Sequence, residues 1–121
     1  MYYFKNEKVN SLQNTEVIDP SKISWKPIEE FPKGAWIKTL HVNDETGAMA
    51  AIVKFDKGFR EPKHKHPSNH HIIVLDGKLV DDKGNEIKRG MYFFTLAGVE
   101  HGPLDAPEDC VFFVYFDGPA F

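Results

Sequence analysis

From Gly34 onward, apolar and polar positions alternate in short runs, and turn-forming residues interrupt them about every 8–12 residues, the rhythm of an all-β sandwich or barrel. Ala35–Val42 alternates, with Trp36, Lys38, Leu40 and Val42 on one face and Ile37, Thr39 and His41 on the other. Asn43–Gly47 is a turn, and Ala48–Phe55 is the next strand, closed by Asp56, Lys57 and Gly58. Pro62–His66 reads as a short strand. His70–Leu75 is a β-branched run ended by Asp76-Gly77, and Lys78–Val80 continues it past that bend. Asp82–Asn85 forms a hairpin turn, Glu86–Lys88 precedes the Arg89-Gly90 turn, and Met91–Leu96 and Val111–Phe116 are aromatic strands. No window carries a helical period of useful length.

Before Gly34 the pattern is weak. Val17-Ile18 favours a strand but is stopped by Asp19-Pro20, and Pro27 and Pro32 break the segment that follows. Residues 1–33 are therefore expected to form an extended N-terminal arm that covers a barrel edge or pairs with a second subunit, and residues 34–121 the β-barrel domain.

The chemistry concentrates in residues 58–77. Four of the six histidines lie there, His64, His66, His70 and His71, and His101 follows in a later hairpin. Residues two apart on a strand share a face, so His64 and His66 point the same way. Pro67, Ser68 and Asn69 bend the chain, which puts His70 on a neighbouring strand from which it converges on the first pair. Neutral imidazole is a ligand for Zn, Fe, Ni and Cu, and several imidazoles gathered beside strands indicate a bound cation. His71 should face outward with Ile73 and Leu75, although a shifted bend after Pro67 would exchange it with His70. His41 stands alone and reads as a surface or half-buried histidine, and Cys110 as a small core or interface residue. Phe94 and Tyr115 are candidates for lining the cavity beside the metal. Lys63, Glu61 and Asp105 are expected to be surface charges.

A chain of 121 residues suits one domain that needs no disulfide staple, and its single cysteine cannot form an internal bridge. The net charge of −3, with basic residues scattered among acids, disfavours a nucleic-acid partner. No apolar run approaches the roughly 20 residues of a membrane span, and Met1–Gln13 lacks the pattern of a secretory signal, so a soluble cytoplasmic protein with no membrane partner is expected.

Two spaced patterns carry a resemblance. Gly58, His64, His66 and Gly77 match G-x5-H-x-H-x3-E-x6-G, with His70 in the glutamate place. Gly90, Gly98 and His101 match G-x5-P-x-G-x2-H-x3-N, with Leu96 in the proline place and Asp105 in the asparagine place. The chain thus resembles the cupin superfamily, which implies an all-β double-stranded β-helix (jelly-roll) barrel. Residues 33–47 (KGAWIKTLHVNDETG), 64–67 (HKHP), 74–93 (VLDGKLVDDKGNEIKRGMYF) and 109–114 (DCVFFV) are most similar to small ChrR-like cupins and to dihydroxyacetophenone or acetylacetone dioxygenase-like cupins.

That resemblance implies one divalent transition metal per chain on His64, His66, His70 and His101, with Fe expected for a dioxygenase and Ni, Mn or Zn as alternatives. It implies C–C cleavage of a small diketone or hydroxyketone, an anionic or enolisable substrate. A non-catalytic, sensor-like metal- or ligand-binding cupin and a metal-assisted isomerase or lyase are the competing expectations. Four neutral imidazoles leave the full 2+ charge uncompensated, which favours anionic ligands, and no motif carboxylate is available as a general base. Protons should displace the metal below about pH 6, where ordinary imidazole is charged. A homodimer is expected, since cupins commonly pair through barrel edges and N-terminal arms.

Overall fold

In the computed structural model, which describes residues 15–121, the alternating runs become ten antiparallel strands in two facing sheets. The strands are β1 (Lys26–Pro27), β2 (Ala35–Val42), β3 (Met49–Phe55), β4 (Arg60–Glu61), β5 (His70–Asp76), β6 (Lys78–Val80), β7 (Glu86–Lys88), β8 (Tyr92–Thr95), β9 (Leu104–Asp105) and β10 (Cys110–Phe116). The larger sheet runs β1-β2-β3-β10-β5-β8 and the smaller β4-β9-β6-β7. Among the described residues the one helical element is a 3-10 turn at Pro20–Lys22, capped by the Asp19 carboxylate, which accepts from the Ser21 amide at 3.0 Å. Among the described residues no helix is long and apolar enough to cross a membrane.

The core follows from strand parity. On β3 the inward residues are Ala51, Val53 and Phe55, on β10 Phe112, Val114 and Phe116, and on β5 His70, Ile72 and Val74. Phe55 packs between Phe59 and Phe112, with ring centroids 4.5 and 5.0 Å away, and Leu79 and Leu104 close the core from the smaller sheet. Each such side chain contributes roughly 1.5–3 kcal/mol by leaving water. Register places Phe116 opposite His70 on β10 and β5, so the aromatic core runs directly into the histidine cluster.

Residues 1–14 of the expected arm lie outside the described residues. Its later part reaches the barrel: β1 pairs with β2, Lys26 opposite Ile37, and Ile28 enters the core. Pro27 is tolerated there because β1 is an edge strand. One expectation needs correction, and one strand was not foreseen. Pro62–His66 is not a strand: pairing stops at Glu61, where Pro62 has no N–H to donate, and resumes only as a single bridge between His64 and His101. Leu104–Asp105 forms a strand although its sequence carries no alternation, because it pairs with β4 and β6.

Gly77 makes the β5–β6 bend at φ +75°, and a Cβ there would run into the Asp109 carbonyl oxygen and lie 3.0 Å from the Cys110 Cα. Both the left-handed conformation and the backbone clash penalise any side chain. Gly77→Ala should cost about 3 kcal/mol or more, which a chemical-denaturation midpoint at unchanged slope will show.

Candidate metal centre

His64 and His101 are set opposite each other by reciprocal backbone hydrogen bonds, 2.9 Å from the His64 amide to the His101 carbonyl and 2.8 Å in return. This brings their rings to a centroid distance of 4.3 Å. His66 follows two residues on, its carbonyl accepting from the Gly98 amide at 2.8 Å. The donor nitrogens of His64, His66 and His101 lie within 4.8 Å of one another, the one such group found among the described residues. His70, at the start of β5, is 2 % exposed, and its ring centroid is 4.8 Å from those of both His66 and His101. It adjoins the three-histidine group without being part of it. His71 points out of the barrel and pairs its Nδ1 with the Tyr92 hydroxyl at 2.7 Å.

Hydrogen bonding fixes the protonation of the first two rings. His64 Nδ1 is 2.6 Å from the Pro62 carbonyl and His66 Nδ1 is 2.6 Å from the Ala120 carbonyl. A carbonyl only accepts, so each Nδ1 carries the proton and each neutral ring presents a lone pair at Nε2. Those two Nε2 atoms are 2.8 Å apart. Two lone pairs at that distance repel unless a cation lies between them. Bonds of about 2.0–2.1 Å to a common ion put neighbouring donors about 2.9 Å apart at a right angle, so the spacing fits two ligands of one metal.

A shared proton would be a poor substitute for the metal. Burial lowers the pKa of His66, opposed by the Ala120 hydrogen bond and reinforced by the charge of His64. Burial takes His101 down to about 4 and His70 to about 3, with the surrounding histidines adding to both shifts. These rings stay neutral and keep their lone pairs well below the ordinary imidazole range, so proton competition at His70 and His101 begins lower than the pH 6 expected from sequence. His101 Nε2 and His70 Nδ1 are buried without a hydrogen-bond partner. The donor set and its unpaired atoms fit a transition-metal ion.

The cavity beside the histidines is about 40 Å³ and almost wholly apolar, walled by Met49, Ile72, Leu104, Phe112, Val114 and Phe116. Phe31 and Phe121 pack at its edge, 5.3 Å from His64 and 5.6 Å from His66 respectively, and 5.9 Å from each other. Among the described residues no lysine or arginine lines it. Phe94 and Tyr115, expected in this cavity, are 44 % and 40 % exposed instead. Both lie opposite His71 in the sheet register and share its outward face; Phe116 lines the cavity instead, and Phe93 packs against His70 without lining it.

Glu61 is the other correction. Expected on the surface, it is 6 % exposed and lines the cavity. Its Oε2 is 3.7 Å from His64 Nε2 and its Oε1 is buried without a partner. Burial raises its carboxyl to about 8. Strand parity opposes Glu61 to His64 and His66, but the break at Pro62 resets parity and turns it inward. Lys63 and Asp105 do stay outside, Asp105 in a bidentate pair with Arg60 at 2.7 and 2.9 Å, and Lys63 beside Glu100 at 3.8 Å.

The match to the ChrR cupin-like domain runs over residues 13–120, nearly the whole chain. This protein is a ChrR-like cupin. It is 33% identical over 97 residues to the DNA damage-repair/toleration protein DRT102 of Arabidopsis thaliana, a match that takes in 76% of this cupin and 29% of the plant protein. The cupin thus spans under a third of that relative's length. Its fold superposes on an acetylacetone dioxygenase from Acinetobacter johnsonii with a TM-score of 0.72 at 24% identity, over 98% of this chain and 81% of the other. It also superposes on the complex of the anti-sigma ChrR with SigE from Rhodobacter sphaeroides, with a TM-score of 0.63 at 20% identity, over 79% of this chain and 50% of the other. At these identities the structural likeness establishes the fold.

Proposed function

We propose that this cupin is a mononuclear metal enzyme, a dioxygenase that cleaves a C–C bond in a small diketone or hydroxyketone, with His64, His66, His70 and His101 as its ligands. The observation that carries the metal reading is the facing pair of Nε2 lone pairs at 2.8 Å, each fixed by a carbonyl behind it. The reaction class is supported by the likeness in fold to an acetylacetone dioxygenase. A bound ion would supply the Lewis-acid and redox chemistry. The protein's own part is to keep His66, His70 and His101 neutral by burial, to exclude water with aromatic walls, and to place no lysine or arginine among the described residues lining the cavity. A cavity of about 40 Å³ takes a ligand of a few heavy atoms, and anything larger enters by displacing Phe31 or Phe121.

That small closed cavity also supports a second reading, a non-catalytic metal- or ligand-binding cupin, or a metal-assisted isomerase or lyase. Elemental analysis of protein purified without chelator separates the readings. About one Fe, Mn or Ni per chain, with O2 consumed on adding a diketone or hydroxyketone, is the expected result. Stoichiometric Zn with no oxygen uptake after iron loading would decide for the second. His70→Ala should retain the fold and bind the metal about 10-fold or more weakly in a chelator competition, whereas an unchanged affinity would remove His70 from the ligand set. We infer a homodimer as well, supported by the outward apolar side chains of Ile73, Leu75 and Tyr92. Light scattering at micromolar concentration tests it.

A further inference from the structure

Among the described residues Glu61 is the one acidic side chain lining the cavity, and nothing in the first cupin pattern accounts for it. The place where that pattern carries a glutamate is held by His70, a neutral ring, so the histidine set brings no negative charge to the ion. Glu61 stands nine-tenths buried at the rim of the histidine cluster, Oε2 3.7 Å from His64 Nε2 and Oε1 without a partner. It is anchored by the pairing of β4 with β9, Glu61 opposite Leu104. With Oε2 3.7 Å from His64 Nε2, its carboxylate is within hydrogen-bonding reach of a water or hydroxyl held at the histidine cluster.

We propose that Glu61 is the carboxylate of this metal centre: it faces the ion from beside His64 and accepts a hydrogen bond from a water or alcohol O–H bound on the ion's open side. The inference rests on the metal reading above and adds to it the class of ligand the open side takes. Among the described residues no lysine or arginine lines the cavity with this buried carboxylate, so a bound ion would compensate it and it would strengthen the hold on a cation. The same fixed charge repels an incoming anion and rewards a neutral ligand that brings a proton to share. The open side of this site therefore favours water and hydroxyl-bearing ligands over small anions, the reverse of what four neutral imidazoles alone would favour.

The test uses Co²⁺ as metal and azide as anion, on wild type, Glu61→Gln and Glu61→Asp. Chelator competition reads cobalt affinity, and the cobalt absorption band reads azide binding. Glu61→Gln is expected to bind Co²⁺ about 10–100-fold more weakly and azide about 10-fold more tightly, while Glu61→Asp, which keeps the charge, holds azide as weakly as wild type. A merely structural Glu61 would not move the two affinities in opposite directions. Equal affinities in wild type and Glu61→Gln overturn the proposal and leave the histidine site standing. A wild type that binds no Co²⁺ overturns both. Should Glu61→Gln fail to fold, infrared difference spectra of wild type with and without Co²⁺ decide: loss of a buried carboxylic C=O band on metal addition supports the proposal, and an unchanged carboxyl region overturns it.

Discussion

His66→Ala should end stoichiometric metal binding, with affinity down by at least about 100-fold. Of the three grouped histidines, His66 is the most buried, and its lone pair is aimed by a carbonyl on the far side of the ring, that of Ala120. Removing the ring deletes one ligand and relieves the repulsion that makes the empty site costly, since His64 Nε2 no longer faces a second lone pair. The metal-free variant should therefore lose little stability compared with its loss of affinity, even though the ring packs against His70 and Phe116. Zinc or cobalt titration with a chromophoric chelator, alongside denaturation of the metal-free forms, measures both quantities. If His66→Ala bound the metal within a few-fold of wild type, the three-histidine centre would be refuted.

The second large effect is the pH dependence of the metal-free protein. His70 and His101 have folded pKa values of about 3 and about 4, below the 6.5 of an exposed imidazole. Between about pH 4 and 6.5 the unfolded chain binds protons at these positions that the folded chain does not, so stability falls as pH drops through that window. His66, shifted in the same direction, steepens this limb. Glu61 acts with the opposite sign. Its folded pKa is about 8 against 4.5 when exposed, so the folded chain holds a proton that the unfolded chain has released, and stability falls as pH rises from 4.5 through 8.

The two effects leave a maximum near pH 6.5. On its acid side two histidines outweigh one glutamate, and the loss reaches about 3 kcal/mol by pH 4. On its alkaline side Glu61 prevails and the loss is about 1 kcal/mol by pH 8. The acid limb corresponds to a fall in Tm of about 10–15 °C. Melting temperatures of chelator-treated protein across this range will show the peak. A flat profile from pH 4.5 to 8 would mean that neither Glu61 nor the histidine pair is buried as described. In Glu61→Gln the alkaline limb alone should vanish.

Much of the fold was legible because this chain signals its strands locally. Ala35–Val42, Lys78–Val80 and Glu86–Lys88 have the ends the pattern predicted, and the other long strands are displaced by a residue or so. Alternation is a period-2 signal that burial on one face enforces, and glycine or proline marks each stop. β1 and β9 carried no such signal. Each has two residues, too few to alternate, and exists through its partner strand. The histidines were legible for the same reason as the strands: His64 and His66 share parity, and the parity of β5 put His70 inside with Ile72 and Val74 and His71 outside.

The misplaced residues share one cause. In Met91–Leu96 and Val111–Phe116 both parities are aromatic, so the pattern could not say which ring faces the cavity, and only the register with His70 and His71 assigned Phe93 and Phe116 inward and Phe94 and Tyr115 outward. For Glu61 the pattern was misleading rather than silent, because Pro62 ends one pairing and the His64–His101 bridge begins another.

The sequence by itself determined that the chain is an all-β cupin and which histidines come to one end of its barrel, since hydrophobic alternation, turn residues and motif spacing are properties of neighbours along the chain. Tertiary structure decided the chemical state of that end. The carbonyls of Pro62 and Ala120 set the two ring tautomers, the bridge to His101 closes the histidine group, and the break at Pro62 buries a carboxylate beside it. The physical reason is that protonation, burial and charge balance depend on groups close in space, and here the partner of His66 lies 54 residues away.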